Sequence, residues 1–138
     1  MKTINVHPVN YILVRMSNGE DILEALRQAV EEHGIQHGLI LGGVGSVKSY
    51  HVHVVETTNL PPGNIFWKEE NPFDIVSVSG LVMNGRVHAH IALSDRERTI
   101  AGHLEPGCQV LTFCAVTMAI LEQGDELADL DRYRIPKQ

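Results

Sequence analysis

Two histidines, His88 and His90, stand two residues apart in the alternating stretch "GRVHAHIAL" at positions 85–93. Residues i and i+2 of a strand share a face, so both imidazoles project to one side. The polar segment "SDRER" (94–98) follows, and then "TIAGHL" (99–104) alternates again and carries His103. A hairpin turning through 95–98 sets Ser94 opposite Thr99, Ala92 opposite Ala101, and His90 opposite His103. Its other face then reads Leu93 with Ile100, Ile91 with Gly102, and Ala89 with Leu104. That face is aliphatic, and a slip of one residue would mix the two, so the pattern pins the register. Directly opposed Cβ atoms lie about 4.5–5.5 Å apart and diagonal ones about 7–8 Å. Three imidazoles placed so can meet one ion at about 2.0–2.1 Å per nitrogen. Three neutral imidazoles suit Zn²⁺, and also Fe²⁺, Ni²⁺ or Co²⁺. Such a site keeps a coordination position open for a water, whose pKa the ion lowers toward about 7. The competing readings are a polar sheet face and a subunit contact.

In the same register Glu105 falls opposite His88, where it is a candidate fourth ligand or general base, or a solvated strand-end carboxylate. A second pair, His51 and His53, shares one face of "SYHVHVV" (49–55). No third histidine stands at a hairpin-related position to it, so the pair reads as surface or interface, or as secondary groups lining the same cavity. His7, His33 and His37 read as surface or helix-end residues. Asp95 and Glu97 read as turn residues. Arg86 and Arg15 are candidate partners for an anionic ligand, since Arg makes bidentate carboxylate contacts. Cys108 and Cys114, the only cysteines, lie in or beside an apolar run. They read as buried free thiols, and their spacing builds no zinc framework.

These side chains need a scaffold. Residues 11–15 read as a short strand. Ser17 and Glu20 fit a capping box for a helix over 19–33, where Ile22, Leu23, Leu26, Ala29 and Val30 make one apolar stripe and Gly34 a stop. "GLILGGVG" (38–45) reads as a buried strand. Its glycines mark a bend or bulge rather than a phosphate loop, because a strand follows them instead of a helix. Residues 57–72, with Trp67, read as a polar Pro/Gly-rich loop. Strands follow at 73–82, 86–94, 99–104 and 110–121, and then a charged tail from Glu122 that is expected to be loosely held. This predicts one α+β domain over 1–138, with a mainly antiparallel sheet and one main helix.

The 138 residues can bury a sizeable core without a staple. Formal net charge is −6, with 17 acidic and 11 basic residues and no basic run, which argues against phosphate-backbone binding. No apolar run approaches 18 residues and no apolar signal segment follows Met1, so a cytoplasmic protein without a membrane span is expected.

With these residues in view, the chain resembles the plants-and-prokaryotes-conserved (PPC) domain from about Tyr11 to Leu121. The resemblance rests on "SNGEDILEAL", "GLILGGVGSV", "PFDIVSVSG", "GRVHAHIALSD" and "GHLEPG", in that order. It implies a strongly curved, barrel-like antiparallel sheet, a homotrimer, and a metal, usually zinc, on His88, His90 and His103. The fold it implies is also similar to that of acetolactate decarboxylase, which holds zinc with three histidines. The family's DNA-binding label belongs in plants to a separate Arg-Gly-Arg-Pro element that this chain lacks. Members often carry a glutamate in the last strand, where this chain reads Phe113-Cys114-Ala115-Val116. Three readings follow. The first is a trimeric metalloprotein binding a small anionic or carbonyl ligand, with hydrolase or lyase chemistry open to it. The others are a non-enzymatic interaction module and a DNA-associated regulator.

Overall fold

The computed structural model describes residues 1–130. Eight strands and two helices follow in the order β1 (Pro8–Ser17), α1 (Ile22–Glu32), β2 (His37–Val47), β3 (Tyr50–Val55), β4 (Asn64–Glu69), β5 (Phe73–Met83), β6 (Arg86–Ser94), β7 (Thr99–Leu104), β8 (Val110–Leu121) and α2 (Asp125–Leu130). The strands form one sheet in the order β1-β8-β2-β5-β6-β7-β3-β4, and every pairing in it is antiparallel. The expected barrel-like curvature does not reach closure: β1 and β4 are the two edges. Among the described residues no helix is long and apolar enough to cross a membrane.

One face of the sheet builds the core. Ile22, Leu23, Leu26, Ala29 and Val30 of α1 are all buried, as the apolar stripe requires. Ile22, Leu23, Leu26 and Val30 join Ile40, Val47, Val52, Ile75, Val78, Ile91, Leu93, Val116 and Met118 in one cluster. Cys108 and Cys114 are free and buried in it. Burial pushes the Cys108 thiol up to about 12 and the Cys114 thiol up to about 11, so neither is a nucleophile near neutrality.

Three expectations need correction, for the helix cap, for residues 57–72 and for His37. The helix is capped by Asp21, whose carboxylate accepts from the Glu24 N–H at 3.1 Å, and not by Ser17. Ser17 and Glu20 do bond, but they close a turn: the Glu20 carboxylate accepts from the Ser17 N–H at 2.6 Å. Residues 57–72 are not all loop. "NIFWKE", rich in β-formers, pairs with β3 as an edge strand. Beyond β8 the tail includes α2, where Leu127 is buried; residues 131–138 lie outside the described residues. His37 is buried, 4% exposed, and its Nδ1 accepts from the Asn84 N–H at 3.5 Å, which removes it from the surface.

The glycines of β2 sit inside one strand, and two of them, Gly42 and Gly45, border bulges between Ile40 and Gly42 and between Gly45 and Val47. Gly45 has φ of 140°, and a Cβ there would lie 1.9 Å from the Phe113 carbonyl oxygen. At Gly42 a Cβ would meet nothing within 4 Å. Gly45→Ala is therefore expected to cost more than about 2 kcal/mol, from strain and overpacking together. Gly42→Ala should stay within about 0.5 kcal/mol of the parent. Urea denaturation of the two variants checks this, and equal losses would contradict the assignment.

Candidate metal centre

The site is built by β5, β6, β7 and β3, and its geometry follows from their registers. The β6–β7 hairpin has the expected pairing: His90 with His103, Ile91 with Gly102, Ala92 with Ala101, Leu93 with Ile100, and Ser94 with Thr99. Asp95 sets its turn, one carboxylate oxygen accepting from the Glu97 and Arg98 N–H groups at 2.8 and 2.9 Å. Those backbone bonds hold the Asp95 carboxyl below its ordinary range.

Sequence reasoning missed the second neighbour of β7. Strand β3 pairs with it and sets His53 directly opposite His103. Gly102 permits the approach, since a Cβ there would lie 2.7 Å from the His53 carbonyl oxygen. Ser79, His90, His103, His53 and Phe66 thus form one row across five strands. The signal was present in the His51/His53 pair, but a β3–β7 contact joins strands distant in sequence, and no hairpin spacing reveals it.

The rings of His88, His90 and His103 lie with centroids 4.6–5.6 Å apart. One nitrogen from each lies within 4.8 Å of the others, close enough that a small closing movement lets the three hold a single ion. His88 and His90 are exposed and His103 half-buried. Among the described residues none of these three rings takes part in a hydrogen bond or ion pair with the protein, so their lone pairs are uncommitted. Partial burial, then the charges of His88 and His53, hold His103 down to about 4. Burial, then His90 and His53, lower His88 as well. Both are neutral at pH 7, the form that ligates metal.

Glu105 does not face His88. The β6–β7 ladder ends at His90 and His103, and the chain then follows β3: the Glu105 N–H donates to the His51 carbonyl at 3.1 Å. Its carboxylate meets His53 Nδ1 at 2.6 Å. His51 turns to the Pro106 carbonyl at 2.8 Å through its own Nδ1. Arg86 and His88 line a cavity of about 570 Å³ with Leu39, Leu81, Met83 and Leu127. Arg15 lies on the edge strand β1, with β8, β2 and β5 between it and β6, beside Ser17 and the Phe113 ring.

The same sheet face carries apolar side chains. Tyr11, Ala119, Leu39, Leu81 and His88 are successive partners across β1, β8, β2, β5 and β6. Tyr11, Leu13, Val44 and Leu81 are 46–67% exposed there.

The chain belongs to the Plants and Prokaryotes Conserved (PCC) domain family, whose model matches residues 5–122. The fold is that of a metal-containing protein of Archaeoglobus fulgidus, at TM-score 0.78 and 23% identity, covering 88% of this chain and 86% of that one. It is also that of a plant- and prokaryote-conserved (PPC) protein of Pyrococcus horikoshii, at TM-score 0.77 and 22% identity, covering 90% and 87%. Solved structures from Bacteroides thetaiotaomicron and Ralstonia eutropha with the same fold carry DNA-binding as a provisional name. Among curated proteins the chain is 28% identical over 126 residues to the bifunctional protein GlmU of a Synechococcus strain. That match covers 91% of this chain but 18% of the relative's length.

The lowered His103 carries a sign that can be tested. An unfolded histidine titrates near about 6.5, so between that pH and about 4 the unfolded chain binds the extra proton. The metal-free protein should lose stability as pH falls through this window. In thermal melts His103→Asn should lose less over the same window, and parallel losses would refute the assignment.

Proposed function

We propose that this chain is a homotrimeric metalloprotein that holds one divalent transition ion on His88, His90 and His103 and binds a small anionic or carbonyl-bearing ligand beside it. The observation that carries this reading is the convergence of three imidazoles, one nitrogen of each lying within 4.8 Å of the others. The donor set fits the group: imidazole nitrogens suit zinc and its divalent neighbours. When bound, such an ion supplies Lewis acidity and a bound water of lowered pKa, the basis of hydrolytic or lyase chemistry.

The chain's own residues define the ligand side. The cavity beside His88 is walled by Leu39, Leu81, Met83 and Leu127 and includes Arg86. This lining supports a ligand with a short aliphatic body and a carboxylate or carbonyl at the metal end. Glu105 is tied to His53 and serves to hold that ring rather than to face the ion on His88. A cytoplasmic location is part of the proposal, supported by two buried cysteines left as thiols.

The apolar row of Tyr11, Leu39 and Leu81, with Leu13 and Val44 on the same face, supports self-association, because an exposed apolar area of this breadth is costly in a monomer. A second reading, a non-enzymatic docking module, is favoured by the GlmU relative, in which the matching stretch is a small part of a longer protein. The DNA-associated reading is opposed by the net charge of −6.

Two measurements test the proposal. Elemental analysis of untagged protein should give metal in the parent and at least tenfold less in His103→Ala. A parent that is metal-free, and takes up no zinc, retires the metalloprotein in favour of the module. Light scattering should give the mass of three chains, and Leu13→Asp should reduce it to one. A parent that is already monomeric refutes the trimer.

A further inference from the structure

We infer that His53, His103 and Glu105 form a second divalent-metal position, alternative to the three-histidine site because the neutral His103 ring has one lone pair to give. It goes beyond the proposed function, because its ligands and charge differ and it stands or falls separately. The three side chains come from β3, β7 and the turn after β7, and one donor atom from each lies within 4.8 Å of the others. The His53 and His103 rings are 4.4 Å apart at their centroids. The Glu105 carboxylate and His53 Nδ1 already converge at 2.6 Å, so a proton now bridges a lone pair and an anion that a cation can bridge instead.

The position is preorganised. Glu105 is fixed by its own N–H on the His51 carbonyl. The next residue is held by His51 Nδ1 on the Pro106 carbonyl, and the one after by the Gly107 N–H donating to Asp21 Oδ2 at 2.6 Å. Asp21 is also the cap of α1, so the helix start braces the turn. Phe66, 5.1 Å from the His53 ring, walls the outer side. His53 and Glu105 side chains are 18% and 23% exposed, which leaves room for water on the ion.

The chemistry also differs. Two imidazoles and a carboxylate are the donor set of hydrolytic zinc and of non-haem iron(II) centres. The carboxylate offsets one unit of the ion's charge, which three neutral imidazoles do not. This position therefore takes the harder ions, Mn²⁺ and Fe²⁺, better than the other does.

The test is Co²⁺ binding to metal-free protein, read by elemental content after gel filtration and by visible absorption. The variant His88→Ala/His90→Ala removes two ligands of the first site from exposed positions and spares the second. It should retain about one Co²⁺ per chain, and adding Glu105→Gln should weaken binding at least tenfold. Loss of all Co²⁺ from the folded double variant, with the parent still loaded, overturns the second position and leaves the first intact. Retention in the double variant with loss in His53→Ala/Glu105→Gln supports the second and refutes the first. Should the double variant not fold, anomalous scattering from Co²⁺-soaked parent crystals decides. A peak between His53, His103 and Glu105 supports the inference, and a peak only among His88, His90 and His103 overturns it.

Discussion

The pairing of His90 with His103 across β6 and β7 is the constraint on which the rest of the site depends. Its cause lies at the turn, where the Asp95 carboxylate takes two backbone N–H groups and closes the hairpin with one defined length. One residue more or less in that turn would send His103 to the core face and Ile100 to the surface. The same pairing fixes the far side of β7. Gly102 lies opposite Ile91, and its missing side chain is the gap into which the backbone of β3 fits. His53 is thereby placed, and with it Glu105, because β3 carries the chain onward once β6 lets go.

The sheet divides its labour by face. The aliphatic side, with Val78, Ile91 and Leu93 at or below 1% exposure, buries side chains that each contribute roughly 1.5–3 kcal/mol. A buried imidazole needs an internal partner, as His37 has in the Asn84 N–H. The outer side tolerates ring nitrogens without such partners because water can reach them. The candidate centre is thus placed on rigid strand positions while its lone pairs stay accessible, a combination that a loop or a sealed core does not supply.

Legibility in the sequence tracks sequence distance. The β6–β7 register, the three-histidine set and the buried stripe of α1 could be read because each depends on residues within about one turn or one hairpin. The partnership of β3 with β7 could not, since it joins positions some fifty apart and leaves only a second His-x-His as a trace. Glu105 was misplaced by extending a correct register two residues beyond the last ladder pair. The start of α1 was misplaced because two acceptors, Ser17 with Glu20 and Asp21 with Glu24, both have capping geometry in the sequence. Only the packing of Asp21 against the Gly107 N–H separates them. Strand β4 was hidden by the prolines and glycine before it, which make its turn rather than exclude a strand.

Four imidazoles linked through His103 set an electrostatic condition of their own. His53, His88, His90 and His103 crowd one patch, and a proton on any of them repels a proton on the others. That repulsion, added to burial, is what brings His103 down to about 4. His88 and His103 therefore resist protons but still present converging lone pairs, with the Glu105 carboxylate at the edge of the patch. A single divalent ion answers this arrangement better than protons do. It places its charge at one point common to several nitrogens, whereas protons would place separate charges on each ring. The crowding that lowers His88 and His103 also keeps their nitrogens available to a metal ion, and it extends from the β6–β7 pair to the β3 side through the one ring, His103, that touches both.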